Sequence, residues 1–416
     1  MSRIVITGMG AITPVGNTVQ TAWENMKTGV SGADHIRAFD ASNFPIQIAC
    51  EVKDFKPEDW MDKKQARRVA RCTQLAIATA RQAVTDANLV ITPENSTRIG
   101  VVFNTGGGGM SGMEEGERQL QVGGPRSVSP FLVPSVMLNA VSCLVSIELG
   151  TNGPLNTSAL ACASGNYALL DAYHMLKRGE ADAIITGGTE ASISPLILAS
   201  FGRMGALSCR NDDPQSASRP FDKDRDGFVF GEGAAAFILE TEEHAQARGA
   251  KIYAEVLGGR LTSDAYHLTA PRPDASRSAA AMQEAIKVSG KRLEDVDVIF
   301  AHGTSTPLGD VAETIAVKKV FGDRAYQIPI SGTKSLVGHM LGAAGAVSAL
   351  AAVKAIEEGI ICPTINYHTP DPECDLDYVP NQARPYKVKL ALVNAFGFGG
   401  QNVVVVLGKY SKNGKL

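Results

Sequence analysis

The chain has 416 residues, of which 44% are hydrophobic, 20% charged and 6% aromatic. This composition excludes a disordered chain and supports a large buried core, and the length predicts two or three domains or one large α/β body. With 40 Lys and Arg against 43 Asp and Glu, the net charge is −3. That balance argues against a protein that coats nucleic acid, and no nucleic-acid partner is expected.

The N-terminal sequence and the cysteines bear on location. Residues 1–7 enter a strand-like run without a charged and then apolar leader, so no secretory signal is expected. Two uncharged stretches, 127–147 and 335–353, contain too little Leu, Ile and Phe for a membrane span. The seven cysteines include no C-x-x-C pair, so neither a disulfide framework nor a zinc site is predicted. A reduced, cytoplasmic protein is expected.

Strand-like and helix-like segments alternate along the chain. Residues 3–7, 99–104 and 183–186 are short, β-branched and followed by Gly or Asn, which predicts buried strands. Residues 163–176 carry apolar side chains at helical spacing and end before Gly179, which predicts a helix. This alternation predicts an α/β fold with parallel strands and crossover helices.

The pattern repeats once, at about half the chain length. In each half two strands precede an Ala- and Gly-rich helix, which is predicted to begin at Cys162 in the first half and at His339 in the second. The repeat predicts two similar α/β halves, 1–250 and 251–416, packed as one rigid body with their helix-start loops facing each other.

Cys162 is the strongest candidate for a nucleophile. It lies in Ala-Cys-Ala-Ser-Gly, where a predicted strand gives way to a predicted helix. The N–H groups and dipole of a helix N-terminus favour a thiolate, so a lowered thiol pKa is predicted. The small neighbours leave room for a substrate, as in a nucleophile elbow. The other six cysteines are interpreted as buried structural residues.

Two histidines and a lysine complete the candidate site. His302 follows a predicted strand, and His339 comes five residues after Lys334 in a Gly- and Ser-containing loop. Open α/β sheets bind ligands at such strand ends. One nucleophile, two donors for a developing oxyanion and one cation together indicate acyl transfer.

Three further sequence patterns resemble known sites but have simpler interpretations. Residues 222–227 look like the start of a calcium loop, but position twelve is Gly233 rather than Glu, so no metal site is predicted. The glycines at 106–109 lack the Lys and Ser or Thr of a phosphate-binding loop. The basic run 63–71 is predicted to lie on a helix, either as a solvated face or as a dock for an acidic partner.

Seven motifs in order resemble the β-ketoacyl-[acyl-carrier-protein] synthases of the thiolase-like condensing-enzyme superfamily, specifically the elongating Cys-His-His class. Together they cover nearly the whole chain. The motifs are 4–10 (IVITGMG), 161–165 (ACASG), 219–233 (RPFD through DGFVFGEG), 264–267 (DAYH), 302–306 (HGTST), 334–339 (KSLVGH) and 394–400 (NAFGFGG).

The resemblance implies a fold and partners. The fold would be two duplicated βαβαβαββ halves in a five-layer αβαβα arrangement. The substrates would be carried on the phosphopantetheine of a separate acyl carrier protein, with no cofactor and no catalytic metal. Family members are homodimers, or pair with a homologous chain-length-factor subunit.

The resemblance also implies roles for the candidate residues. Cys162 would hold the acyl group as a thioester, and His302 and His339 would hold the malonyl carbonyl during loss of carbon dioxide. Lys334 would orient the site, with Glu313 as its partner.

Further implied roles concern the access route and the carrier protein. The N–H groups of Cys162 and Phe398 would form the oxyanion hole, and Phe398 would act as a gate. The phosphopantetheine tunnel would be lined by Thr269, Thr304 and Thr306. Carrier docking would fall to Arg67, Arg68, Arg126 and Arg203.

Two positions depart from the common family pattern. Gly107 replaces a bulky acyl-pocket residue, which predicts a deeper pocket, and Gln401 replaces a common Thr.

The leading interpretation of the function is fatty-acyl elongation, and three other functions compete with it. A type II polyketide ketosynthase paired with a Cys-less chain-length factor is the alternative. A non-catalytic chain-length partner is disfavoured because Cys162 is intact, and a thiolase because that class uses Cys-His-Cys.

Overall fold

The computed structural model describes residues 2–412. Its strands are β1 (Ile4–Ile12), β2 (Asp34–His35), β3 (Ile48–Ala49), β4 (Ile99–Thr105), β5 (Leu155–Asn156), β6 (Ala183–Glu190), β7 (Gly233–Thr241), β8 (Ala254–Ser263), β9 (Val298–Phe300), β10 (Ile330–Ser331), β11 (Ile360–Ile361), β12 (Arg384–Pro385), β13 (Leu390–Gly397) and β14 (Gln401–Gly408).

The α-helices alternate with these strands, as predicted for an α/β fold. They are α1 (Val19–Lys27), α2 (Lys63–Ala66), α3 (Arg71–Asp86), α4 (Met110–Gly123), α5 (Leu132–Val136), α6 (Ala140–Leu149), α7 (Ser164–Lys177), α8 (Pro195–Arg203), α9 (Glu242–Ala247), α10 (Ser276–Val288), α11 (Pro307–Phe321), α12 (Lys334–Val337) and α13 (Leu341–Glu358). No helix in the described part of the chain is long and apolar enough to cross a membrane.

The main sheet is built from the same five-strand topology used twice. The first half has the order β5-β4-β6-β7-β1 and the second β10-β9-β13-β14-β8. In each, the first three strands are parallel and the last two pair antiparallel. A short antiparallel contact between β1 and β8 joins the two sets. The duplicated α/β fold is confirmed, whereas the domain boundary at residue 250 stays a prediction.

The helices form layers around these strands. The central helices α7 and α13 contact each other and pack against strands of both halves. Helices α3 and α6 cover the outer face of the first half, and α10 and α11 cover that of the second. Three separate hydrophobic clusters, one central and two outer, fill the spaces between layers. The result is an α/β/α/β/α arrangement whose central helices begin at the predicted site.

Small residues allow the central helices to approach closely. Helix α13 is buried on nearly all sides, as its Ala and Gly content predicts. A Cβ at Gly342 would lie 2.3 Å from the Gly106 nitrogen, and one at Gly165 would lie 2.6 Å from the Ala346 nitrogen. Larger residues at either glycine would force the two halves apart.

The prediction of one helix across the basic run is wrong. Helix α2 ends at Ala66, and α3 begins only at Arg71 after an extended Ala70. The physical reason is the position of Arg71, whose guanidinium binds Glu232 at 2.7 Å. This inward pairing starts α3 against the core, so Arg67 and Arg68 lie in the exposed connection between the two helices.

Candidate active site

Cys162 lies in a tight turn between β5 and α7. Residues 161–163 form a 3₁₀ turn, and Ala161 adopts a left-handed φ of 46°. The Ser164 hydroxyl fixes this turn by donating to the Ala161 carbonyl at 2.7 Å and accepting from the Leu160 N–H at 2.8 Å. Helix α7 consequently begins at Ser164, and the thiol faces a cavity while the residue is only 4% exposed.

The prediction that the Cys162 thiol has a lowered pKa is wrong. Burial raises the pKa of the Cys162 thiol to about 11, because an ionised sulfur loses its hydration in this cavity. Lys334 and the backbone N–H of Phe398 act in the opposite direction but are the weaker influences. The Cys162 side chain is therefore a thiol at neutral pH.

The two predicted histidines converge on the same cavity. His302 follows β9, and His339 lies between α12 and α13. Their ring centroids are 5.6 Å apart with the planes at 87°. Burial first, and then the charge of Lys334, holds both pKa values well below the usual histidine value. Both rings are consequently neutral at physiological pH, and each can donate one N–H.

Lys334 and Glu313 hold the loop that carries His302. The Lys334 ammonium donates to the His302 carbonyl. The Glu313 carboxylate accepts from the backbone N–H groups of His302 at 2.9 Å and Gly303 at 2.8 Å. Burial lowers the pKa of Lys334 to about 8, although Glu313 favours its charged form. The pair thus clamps the loop by backbone contacts.

Asn394 and Asp310 also hold this loop in place, and neither role was predicted from the sequence. Asn394 donates to Glu313 at 3.0 Å. Asp310 accepts from the N–H groups of Thr304 at 3.0 Å and Ser305 at 3.2 Å, and burial raises its pKa to about 7. The only sequence signal for Asp310 is its place in the first turn of a helix that follows a His-containing loop.

The cavity continues past the histidines toward solvent. Phe228 packs edge-on against His339 with centroids 5.1 Å apart. The cavity is also lined by Phe398 and by the three predicted tunnel threonines, Thr269, Thr304 and Thr306. The hydroxyl oxygens of the last two are 2.9 Å apart.

Other predicted site residues lie away from this cavity. The Gly107 N–H donates to Glu190, and Gly107 is not among the residues that line the cavity. The amide of Gln401 lies 3.4 Å from the Phe398 carbonyl. The four predicted docking arginines are exposed: Arg67, Arg68, Arg126 and Arg203. Arg68 stacks over the Phe131 ring at 4.4 Å.

The Asp-rich stretch serves the fold. Asp222 accepts from the backbone N–H groups of His368 and Thr369, both at 2.7 Å. Arg225 pairs with Asp371 at 2.5 Å and faces Asp310 at 3.7 Å. Within residues 2–412 no group of three or more His, Cys, Asp or Glu side chains is arranged to hold a metal ion.

Comparison with known proteins agrees with this geometry. Residues 1–245 match the beta-ketoacyl synthase N-terminal domain, and residues 253–368 match its C-terminal domain. A 3-oxoacyl-[acyl-carrier-protein] synthase 2 from Synechocystis sp. is 50% identical over 98% of both chains. Its namesake from Staphylococcus aureus is 48% identical over 98% of both chains.

Solved structures of similar proteins share the whole fold. The ishigamide ketosynthase/chain length factor has a TM-score of 0.92 at 37% identity, with 99% of this chain and 100% of that chain covered. A ketosynthase in complex with its type II PKS acyl-carrier protein has a TM-score of 0.91 at 35% identity, with the same coverage. The Cys162 turn, the paired imidazoles and the duplicated sheet thus lie in a chain that belongs to the β-ketoacyl synthase family.

Proposed function

We propose that this protein is a 3-oxoacyl-[acyl-carrier-protein] synthase that extends a fatty-acyl chain by condensation with malonyl-acyl carrier protein. The observation that carries the proposal is one cavity lined by a cysteine thiol and two neutral imidazoles. A thiol suits a thioester intermediate, and neutral imidazoles suit the stabilisation of a developing enolate.

Acylation comes first. The Cys162 sulfur attacks the acyl-carrier thioester and loses its proton. The carbon–sulfur bond to the carrier breaks as the new thioester forms, and the carrier sulfur takes up a proton and leaves as a thiol. The backbone N–H groups of Cys162 and Phe398 both favour the ionised form of this sulfur, which indicates that they lie near it. We assign them to receive the oxyanion of the tetrahedral intermediate.

Condensation follows on the same face of the cavity. His302 and His339 donate to the malonyl thioester carbonyl while the bond to the carboxylate breaks. Carbon dioxide leaves, and its bonding electrons remain on the malonyl carbon as an enolate. That carbon attacks the Cys162 thioester, and the carbon–sulfur bond breaks to release the thiolate, which takes up a proton from solvent to return the thiol. Because decarboxylation generates its own carbanion, the proposed reaction needs no strong base, cofactor or metal.

The supporting residues have matching roles. Lys334 and Glu313 keep His302 in position through its backbone. Thr269, Thr304 and Thr306 present hydroxyls along the route by which a phosphopantetheine arm would enter. Phe398, in the turn after β13, is proposed as the gate between the two half-reactions.

Acyl carrier protein is the proposed partner, and the exposed arginines are its proposed dock. Reversing the charge of Arg67 and Arg68 together (R67E/R68E) is expected to raise the apparent KM for carrier-bound substrate about tenfold, because charge pairs guide and hold an acidic carrier. Steady-state kinetics with carrier-bound and small thioester substrates checks this. K387E/K389E, which reverses two exposed lysines outside the basic run, is the matched control and is expected to leave both KM values unchanged. Equal losses with both kinds of substrate would refute the docking role.

A second copy of the chain is the proposed subunit partner. Half of the large apolar side chains that are exposed in the described residues belong to the segment from α4 to β5, and β5 is an edge strand with one free side. They are Met110, Met113, Leu120, Val122, Phe131, Val133, Met137, Leu138, Ile147 and Leu155. A two-fold dimer would cover this face, and light scattering that finds only monomers would contradict it.

The polyketide alternative shares every proposed catalytic residue. Identity favours fatty-acyl elongation, since it is 50% and 48% to 3-oxoacyl-[acyl-carrier-protein] synthases but 37% and 35% to the polyketide-type ketosynthases. A cytoplasmic location is part of the same proposal.

The function is tested by incubating the protein with malonyl-carrier protein and acyl-carrier proteins of increasing chain length. Mass spectrometry is expected to find 3-oxoacyl products two carbons longer than each primer. The deeper acyl pocket proposed at Gly107, a residue that does not line the cavity of the free protein, predicts that medium and long chains are accepted. A sharp loss of product beyond short chains would contradict the Gly107 prediction, and the absence of any 3-oxoacyl product would contradict the function.

A further inference from the structure

Glu190 is a buried carboxylate that the mechanism above does not use. It is the last residue of β6 and is 0% exposed. Its oxygens accept from the N–H groups of Gly106 at 2.9 Å, Gly107 at 3.2 Å and Gly342 at 3.1 Å, and from the Ser192 hydroxyl at 2.7 Å. Four donors converge on it, so the carboxylate is bound by neutral groups alone.

These donors come from both halves of the fold. Gly106 follows β4 in the first half, and Gly342 is the second residue of α13, three positions after His339. A Cβ at Gly106 would lie 2.8 Å from a Glu190 oxygen and 3.4 Å from both the Gly342 nitrogen and the Ala161 carbonyl oxygen. The carboxylate therefore lies where the loop after β4, the nucleophile turn and the start of α13 meet.

The start of α13 needs such a partner. Its N-cap residue, Met340, makes no side-chain capping bond, and Leu341 has a left-handed φ of 37°. A carboxylate at the N-terminus of a buried helix of this length is stabilised by the free N–H groups and the helix dipole. Glu190 supplies that carboxylate from the opposite half, and it does so next to the histidine that precedes the helix.

The charge of Glu190 also reaches the nucleophile. Among the charged groups that influence the Cys162 thiol, Lys334 lowers its pKa and Glu190 raises it. Removing the negative charge would therefore make the sulfur easier to ionise. Loosening the junction would at the same time spoil the spacing of the thiol and the imidazoles. Removal of the Glu190 carboxylate is therefore expected to speed alkylation of the Cys162 thiol and to slow condensation.

We propose that Glu190 is a positioning residue for condensation, which joins the loop after β4 to the start of α13 and so holds Cys162 and His339 at their working separation. This inference rests on the proposed function. The structure gives Glu190 no contact with the proposed substrate path, so it acts through the backbone segments that it binds.

The test compares E190Q with the wild type in two assays. Condensation is expected to fall about tenfold or more in kcat, with little change in KM for the carrier substrate, because small displacements of reacting groups are costly. Alkylation of Cys162 by iodoacetamide at pH 8 is expected to rise about threefold, because a negative charge that opposes ionisation of the thiol is removed. Condensation at the wild-type rate, or alkylation that is unchanged or slower, would overturn the proposal.

Two further variants separate the effect of the Glu190 charge from the effect of its side-chain length and from a general loss of stability. E190D keeps the charge, so it is expected to fold even if E190Q does not and to be alkylated at the wild-type rate. Its condensation rate is expected to fall about tenfold, because the shorter side chain draws the carboxylate oxygens away from their donors. Wild-type condensation in E190D would also overturn the proposal. The control E240Q alters another buried carboxylate, bound by Arg248 at the far end of β7. It is expected to leave both rates unchanged.

Failure of this inference differs from failure of the proposed function. If the protein does not condense malonyl and acyl groups, the wild type forms no product. Alkylation of Cys162 would still respond to E190Q, since it depends only on the thiol and its neighbours.

Discussion

Replacing Cys162 with alanine (C162A) is expected to abolish condensation, lowering product formation by at least about 10⁴-fold, because the acyl group then has no covalent site. The two histidines remain in place, so slow decarboxylation of malonyl-carrier protein is expected to persist. Product mass spectrometry and carbon dioxide release measure the two activities separately.

The control for this variant is C374A, which removes a buried thiol that does not line the cavity. It is expected to retain wild-type condensation. C162A that still condenses at the wild-type rate would remove the proposed nucleophile, and C162A that lost decarboxylation entirely would mean that the cysteine, rather than the imidazoles, supports that step.

Replacing His339 with alanine (H339A) is expected to slow decarboxylation about 10²–10³-fold, the loss typical of one oxyanion donor. Acylation of Cys162 is expected to be affected much less, because its oxyanion is assigned to backbone N–H groups. H302A is expected to behave alike. H174A, which alters an exposed histidine on α7, is the control. Equal losses in acylation and decarboxylation would contradict this division of roles.

The same histidines make a prediction about pH. Their pKa values lie well below the usual histidine value, so protonation begins only in more acidic solution. Lowering the pH from 7.5 to 6 is therefore expected to leave both imidazoles neutral, as followed by NMR of the ring nitrogens in histidine-labelled protein. The decarboxylation rate does not test this by itself, because burial raises the pKa of Asp310 to about 7 and that carboxyl titrates in the same range. Ring-nitrogen shifts of His302 and His339 that change with a midpoint near pH 6.5 would show that the rings titrate like exposed histidines.

The elements around the site were largely predictable, because chemistry and turn signals coincide there. Cys162, His302 and His339 stand where β-branched runs give way to Gly- and Ser-rich turns, and the structure brings all three to one cavity. The duplicated topology was likewise visible in the repeated order of strands and an Ala-rich helix. Both signals are local in the sequence, so they can be recognised without knowledge of contacts between distant segments.

What could not be predicted depends on contacts between distant segments. The pKa of the Cys162 thiol is raised by burial, and the elements packed against its turn, α13, β13 and β14, are distant in the sequence, so no local pattern reports it. Asp310 and Glu190 look like ordinary carboxylates in the sequence, since their donors lie in other segments. The basic run is split into two helices because Arg71 turns inward to Glu232, 161 positions away in the chain.

The central claim is that the thiol and the imidazoles act on one acyl group in one cavity. Peptide mapping by mass spectrometry after incubation with acyl-carrier protein alone tests it most directly. The account predicts a single acyl adduct, on the peptide that contains Cys162, which disappears when malonyl-carrier protein is added and 3-oxoacyl product forms in equal amount. An adduct on another residue, or one on Cys162 that malonyl-carrier protein does not discharge, would contradict the account.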